Sequence, residues 1–386
     1  MTKPTLPYPA LHASHSGIWI CGSDGVSRAI GKGEAIGCVA EIPHILLNAP
    51  LMGQRLGYPD LSGLDLLELF AFIHPAQFVV PTPAGLAKRL GLEPAKQEAD
   101  IAELYRLAAD HLLTGLHAEY WPEREGAWSS AQALYRLRWP WAGEISKRLK
   151  KPAETERWLF SKLEEWEEET PRPALRPVTM DESATLAQLS ALTGQGSEER
   201  EGQKSYASAV AKIFNPRRVK GAPNMLLAEA GTGIGKTLGY LAPASLWSAE
   251  AGGVVWISTF TKALQRQLDR ETRRIYPDEE TFRKKIVVRK GRENYLCLLN
   301  LEDALQGGFA GRAAILAHLV ARWAAYSKDG DIVGGDLPGW LTTLFRRNGA
   351  TALTDRRGEC VYAGCPHYRK CFIEKSVRAS QQADNV

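Results

Sequence analysis

Apolar residues fall in short glycine-broken runs near the N-terminus, at helical spacing through the middle of the chain, and in isolated strand-like runs beyond residue 220. Ile18-Trp-Ile-Cys21 is one of the early runs, and Leu61-Ser-Gly-Leu-Asp-Leu-Leu-Glu-Leu-Phe-Ala-Phe72 and Leu86–Leu92 follow with helix-like spacing. They predict an α/β unit over residues 1–115, with its first strand within Gly17–Ser23. Trp121, Trp128, Trp139, Trp141, Trp158 and Trp166 then crowd into a stretch whose apolar stripe, clearest in Glu154–Trp166, predicts a helical connector over 116–166 with the indoles packed in a core. From Glu167 the chain turns acidic and proline-rich, which predicts a flexible linker over 167–199. Beyond it, Met225-Leu-Leu-Ala228 predicts a short buried strand, Leu238-Gly-Tyr-Leu-Ala-Pro243 opens a helix, and Val254-Val-Trp-Ile-Ser258 predicts a second strand.

Between the first of those strands and its helix lies Ala230-Gly-Thr-Gly-Ile-Gly-Lys-Thr237. Glycines at 231, 233 and 235 permit positive φ and close approach of backbone amides to a ligand, and the helix start favours negative charge. Lys236 is then expected to reach the β- and γ-phosphates of ATP and the Thr237 hydroxyl to ligate Mg²⁺, with Ala230, Gly231, Thr232, Gly233, Ile234 and Gly235 as the cradle. Ala230 stands where the general pattern has glycine, a change that a small side chain permits.

Composition narrows the setting. A net charge of +4 over 386 residues makes the chain mildly basic, so a nucleic-acid surface has to be a local patch. Arg283-Lys-Lys285, Arg289-Lys290, Arg292 and Tyr295 form one such patch, although a solvated helix face explains the same run of charge. Six cysteines without any apolar run of about twenty residues predict a soluble protein of a reducing compartment, the cytoplasm, with thiols free for metal. Cys360-x4-Cys365-x5-Cys371 is a compact trio that Cys297 would complete to a four-sulfur site. Zinc and iron–sulfur both suit four thiolates, and the absence of paired Cys-x2-Cys spacing leans toward iron–sulfur. Cys21 and Cys38 are expected to be small core residues.

The ordered set Arg200-Glu-Gly-Gln203, Glu229–Thr237, Ser258-Thr-Phe-Thr261 with Leu264-Gln-Arg-Gln-Leu268, Lys290-Gly-Arg-Glu-Asn-Tyr-Leu-Cys297 and the cysteine trio resembles the DinG branch of the XPD-like iron–sulfur DNA helicases, in superfamily 2. The resemblance covers residues 200–386. It implies an α/β fold: a partial RecA-like P-loop motor domain with a parallel sheet and a Cys₄ insert over about 290–380, in which Cys297, Cys360, Cys365 and Cys371 hold a [4Fe-4S] cluster. It further implies that Arg200 and Gln203 sense adenine, that Thr259 and Thr261 touch a DNA backbone, and that Lys290, Arg292 and Tyr295 lie on the DNA path. Single-stranded DNA or DNA junctions are the implied partners, with 5′→3′ polarity and a bacterial cytosolic location. Tyr206 and Ile234 depart from the family pattern without removing a charge.

The front unit is faintly similar to the exonuclease-type, RNase H-like domain that some DinG relatives carry, on the strength of Leu47-Asn-Ala-Pro-Leu-Met52 and Asp65-Leu-Leu-Glu-Leu69. Such exonucleases place an Asp-x-Glu pair on the first strand, and its absence here implies a degenerate, catalytically dead scaffold. Hydrolysis in the motor class also needs an acidic pair at a strand end and arginines from a second motor domain. Pro277-Asp-Glu-Glu280 and Asp181-Glu182 follow no apolar strand, so the chain is expected to be an inactive portion of a longer helicase. A P-loop ATPase with a structural zinc and a non-catalytic DNA-binding accessory module are the alternatives.

Overall fold

The computed structural model describes residues 6–118, 121–154, 160–194, 200–231, 233–347, 350–355 and 358–386. They divide into two compact units, one of residues 1–165 with 291–372 and the other of residues 166–290 with 373–386. The chain as a whole is a mixed α/β protein, rich in helices, with one five-stranded sheet among the described residues.

That sheet lies in the first unit. Its strands are β1 (Ala10–Ala13), β2 (Ile18–Cys21), β3 (Ser27–Ala29), β4 (Ile45–Leu46) and β5 (Leu64–Asp65), in the order β3-β2-β1-β4-β5. β2 runs antiparallel to β1 and β3, while β4 and β5 run parallel to β1. The first strand is therefore Ala10–Ala13 and not the expected run near Gly17, which forms β2. Two small alanines and a histidine gave the central strand little apolar signal; in place, all four of its residues are buried, and His12 Nδ1 meets the Tyr105 hydroxyl at 3.0 Å.

Helices α1 (Lys32–Glu41), α2 (Ala49–Leu56), α3 (Leu66–Ile73), α4 (Pro83–Leu90), α5 (Ile101–Gly115), α6 (Ala127–Arg136) and α7 (Ala142–Arg148) complete the front of this unit. All eight residues of α3 are buried, seven of them apolar and the eighth Glu68. Its polar ends are satisfied by distant groups. The Asp65 carboxylate accepts from Leu67 N at 2.9 Å, capping α3, and from Ala49 N at 2.7 Å, at the start of α2. At the far end, Trp121 Nε1 donates to Ile73 O at 3.0 Å. Trp139 Nε1 donates to Glu68 Oε2 at 2.8 Å and Trp141 Nε1 to Asp65 O at 2.7 Å, so these three indoles pack in the core around one helix.

The second unit has α8 (Glu182–Thr193), α9 (Glu201–Ala211), α10 (Lys236–Ala251), α11 (Lys262–Thr272) and α12 (Glu279–Lys285). α8 corrects the expected linker over 167–199, of which 195–199 lie outside the described residues. Asp181 caps it through Ala184 N, and Leu189 and Leu192 pack against Ala207, Leu238 and Leu241 of α9 and α10. The expected strand at Met225–Ala228 is likewise absent from the described structure: Met225 is 81 % and Leu227 96 % exposed, and no strand pairs with their backbone. Val254–Ser258 contributes only a parallel bridge, Val255 to Asn385, and Ile286 makes another parallel bridge with the same residue. Apolar sequence is not enough for a strand without a neighbouring ladder.

The first unit is completed by α13 (Leu298–Asp303), α14 (Gly311–Ala324) and α15 (Gly339–Arg347), and the second by α16 (Phe372–Gln382), almost all of which belongs to it. α14 sends two arginines to α3. Arg312 pairs with the buried Glu68 carboxylate, and Arg322, itself 1 % exposed, donates to Phe72 O at 2.9 Å, Glu123 O at 2.7 Å and Glu125 O at 2.8 Å. Of the expected connector helix Glu154–Trp166, residues 155–159 lie outside the described part and 160–163 form a turn in which Phe160 and Leu163 are buried.

Glu68→Ala would strand Arg312 beside a cavity. It is expected to destabilise the first unit by about 3 kcal/mol, against less than about 1 kcal/mol for Arg28→Ala at the exposed Arg28–Glu34 pair. Urea unfolding followed by tryptophan fluorescence measures the difference.

Candidate functional site

In the second unit the glycine-rich segment is a loop that ends at the start of α10. Gly233 (φ 84°) and Gly235 (φ 82°) take the left-handed conformation, and Gly235 is the residue before the helix, with no side chain capping the amides that follow. Lys236 folds back, its Nζ donating to Ala230 O at 2.7 Å and to Gly231 O at 3.0 Å. Thr232 lies outside the described residues.

α9 delivers two further side chains to the same loop. Arg200 Nη1 donates to Gly233 O, and Gln203 Nε2 donates to Gly235 O at 2.8 Å. Both were expected to sense adenine; their contact with the loop was not foreseen from sequence. Two neighbours had no expected role: Gln267 Nε2 donates to Thr237 Oγ1 at 3.2 Å, and the half-buried Tyr240, its phenol pushed up chiefly by burial, bonds the same hydroxyl. Gln267 sits within the Leu264–Leu268 run, which marked the helix without marking the contact. Tyr206 closes the loop's far side so tightly that a Cβ on Gly239 would lie 2.7 Å from its ring.

Several expected DNA contacts have other occupations here. Thr261 caps α11 by accepting from Leu264 N at 3.2 Å. Thr259 lines a cavity of about 170 Å³ with Arg289, whose guanidinium stacks over Trp256. Lys290, in the same unit, is half-buried. The basic run on α12 is neutralised: Arg283 pairs with Glu279 at 2.8 Å, Lys284 with Glu280 at 2.7 Å and Lys285 with Asp384 at 3.2 Å. In the first unit Arg292 pairs with Asp355 and stacks over Tyr362, and Tyr295 is only 5 % exposed, so its ring presents no open stacking face.

The four late cysteines all belong to the first unit, are half-buried, and carry free thiols. Cys297 immediately precedes α13 and its amide donates to Leu353 O at 2.8 Å. The trio is threaded by two 3₁₀ turns: Tyr362 N donates to Cys360 Sγ at 3.4 Å, Cys365 N to Tyr362 O at 2.9 Å and Cys371 N to Tyr368 O at 3.2 Å. Burial pushes the Cys297 thiol up, with Asp355 and Cys365 adding to the effect, which brings Cys297 and Cys365 within electrostatic reach. Among the described residues, no three His, Cys, Asp or Glu side chains are gathered closely enough to hold a metal ion. His367, between Cys365 and Cys371, is taken by Glu302 at 2.8 Å. Cys21 and Cys38 pack with the sheet core as expected. No helix of the described residues is long and apolar enough to cross a membrane.

No protein-family profile matches the chain. Among curated proteins it is 30 % identical over 209 residues, 54 % of this chain and 31 % of the relative, to the ATP-dependent DNA helicase YoaA of Haemophilus influenzae. To the YoaA of Escherichia coli it is 34 % identical over 198 residues, 50 % of this chain and 28 % of the relative. Over about half its length the chain is DinG-like. A 3′-5′ exonuclease DinG of Bacillus subtilis is also similar, 34 % identical over 154 residues, 39 % of this chain and 16 % of that protein. The DinG-like chain spans about a third or less of the length of these relatives.

Gly235→Ala places a Cβ against the Gln203 amide in a left-handed backbone. A loss of about 1–2 kcal/mol is expected, read as a lowered Tm, while Gly231→Ala, which meets open space, is expected to leave Tm nearly unchanged.

Proposed function

We propose that this chain is part of an ATP-dependent iron–sulfur DNA helicase of 5′→3′ polarity, acting in the cytoplasm on single-stranded DNA or DNA junctions. The observation that carries the reading is the loop: two left-handed glycines, an uncapped helix start and a lysine held only by loop carbonyls. Triphosphate oxygens compete well for that ammonium because a charge-assisted bond to phosphate outweighs one to a neutral carbonyl. Lys236 then turns from Ala230 and Gly231 to the β- and γ-phosphates, and the Thr237 hydroxyl exchanges Gln267 for Mg²⁺. Gln203 and Arg200, fixed on the loop by α9, stand where an adenine would be read.

For the iron–sulfur group the support is the donor set, four free thiols in one unit beside short 3₁₀ turns, and not their placement, since among the described residues no three are gathered closely enough to hold a metal ion. Cys297, Cys360, Cys365 and Cys371 would hold a [4Fe-4S] cluster, which when bound supplies a rigid, redox-active crosslink between the start of α13 and the trio loop. The front sheet, with its order β3-β2-β1-β4-β5 and antiparallel β2, supports the reading of an RNase H-like scaffold, and β1 offers His12 where an exonuclease needs carboxylates.

Lys236→Ala is expected to weaken MgATP binding by at least about tenfold, measured by calorimetry on the purified chain. Protein purified without oxygen is expected to be brown with iron near four per chain, as thiolate-ligated clusters are, and Cys365→Ser to lose both colour and iron. A colourless wild-type chain loaded with zinc would overturn the iron–sulfur assignment.

A further inference from the structure

The first unit contains a second place with the makings of a ligand site, away from the thiols and unrelated to the phosphate loop. A cavity of about 550 Å³ opens between the start of α2, the segment joining α6 to α7, and the start of α14. That volume is in the range of about 300–1,000 Å³ in which proteins hold nucleotide-sized molecules. Its walls alternate apolar and charged groups: Pro50, Leu137, Pro140 and Ile315 against Arg138 and Asp60. Arg312 also borders it, but that guanidinium is already neutralised by Glu68.

Arg138 and Asp60 are exposed on the same cavity, yet neither forms an ion pair, with each other or with any other described residue. Arg138 is also held rigidly. It follows α6 in the left-handed conformation, φ 59°, a position where glycine is the usual occupant. Its amide donates to Tyr135 O at 3.0 Å, and the next residue, Trp139, is buried on Glu68. The chain thus accepts a strained arginine at a helix end whose side chain bonds no described neighbour, and sets it on the rim of a cavity of about 550 Å³ with apolar walls.

We propose that this cavity binds a nucleoside monophosphate unit, free or at the end of a strand, with Arg138 on the phosphate, Asp60 accepting from the base, and the prolines, Leu137 and Ile315 flanking the ring. A carboxylate accepts from the amino and imino hydrogens of guanine, whereas thymine offers a single N–H, so Asp60 favours guanine. The two charged groups recognise opposite ends of one ligand, which explains why they share a cavity without pairing.

The test uses the full chain carrying Lys236→Ala, so that the phosphate loop does not contribute and failure of the helicase reading leaves this result intact. Fluorescence titration with dGMP, with a 5′-phosphorylated dG-ended trinucleotide and with its dephosphorylated form separates the free from the strand-borne source. Saturable binding of a phosphorylated probe is expected, weakened about tenfold or more by Arg138→Gly, with Tm unchanged or raised because glycine suits φ 59°. Asp60→Asn is expected to narrow the preference for dG over dT while leaving the phosphate dependence in place. Absence of saturable binding, or binding that both variants leave unaltered, overturns the proposal.

Discussion

The first unit depends on a carboxylate with no access to water. Glu68 is fully buried in the first turn of α3, and its charge is tolerable only because Arg312, 244 residues further along the chain, and the Trp139 indole reach it. Arg322 does the same at the carbonyl end of α3, where it donates to Phe72 O, one of the terminal carbonyls that the helix itself leaves unsatisfied. Neither group can leave without exposing its partner to a low-dielectric interior. The front sheet and the cysteine-bearing segment therefore belong to one compact unit.

This arrangement bears on how the thiols would work. Cys297 and the trio lie in a unit shared with a sheet whose first strand carries no carboxylate. The front segment then serves as the rigid wall against which the cysteine segment is built, through Phe160 edge-on to His367 at 5.3 Å and Lys370 bonded to Phe160 O at 3.1 Å. Asp65 and Glu68, both buried in this unit, are consumed as a helix cap and an ion pair.

In the second unit the order of strength is reversed. Its helices α8, α9 and α10 form a small apolar core beside the glycine-rich loop, while the strand-like segments contribute bridges alone. The loop owes its shape to local rules, glycine conformations and the lysine's own hydrogen bonds, and needs only α9 packed alongside.

Local chemistry of this kind is what the amino-acid order determined by itself. Gly233, Gly235, Lys236 and Thr237 were legible because the constraint acts over a few residues, and so were the tryptophan core and the apolar helix α3. Arg200 and Gln203 were singled out only through resemblance, and the packing of α9 against α10 brings them to the loop. What tertiary structure alone decided is non-local: that the first strand is Ala10–Ala13, that Met225–Ala228 stays outside any ladder, that Tyr295 turns inward, and that the acidic residues at 181 and 278 cap helices. Burial and strand pairing are properties of partners distant in the chain, and a run of residues carries no record of which partner arrives.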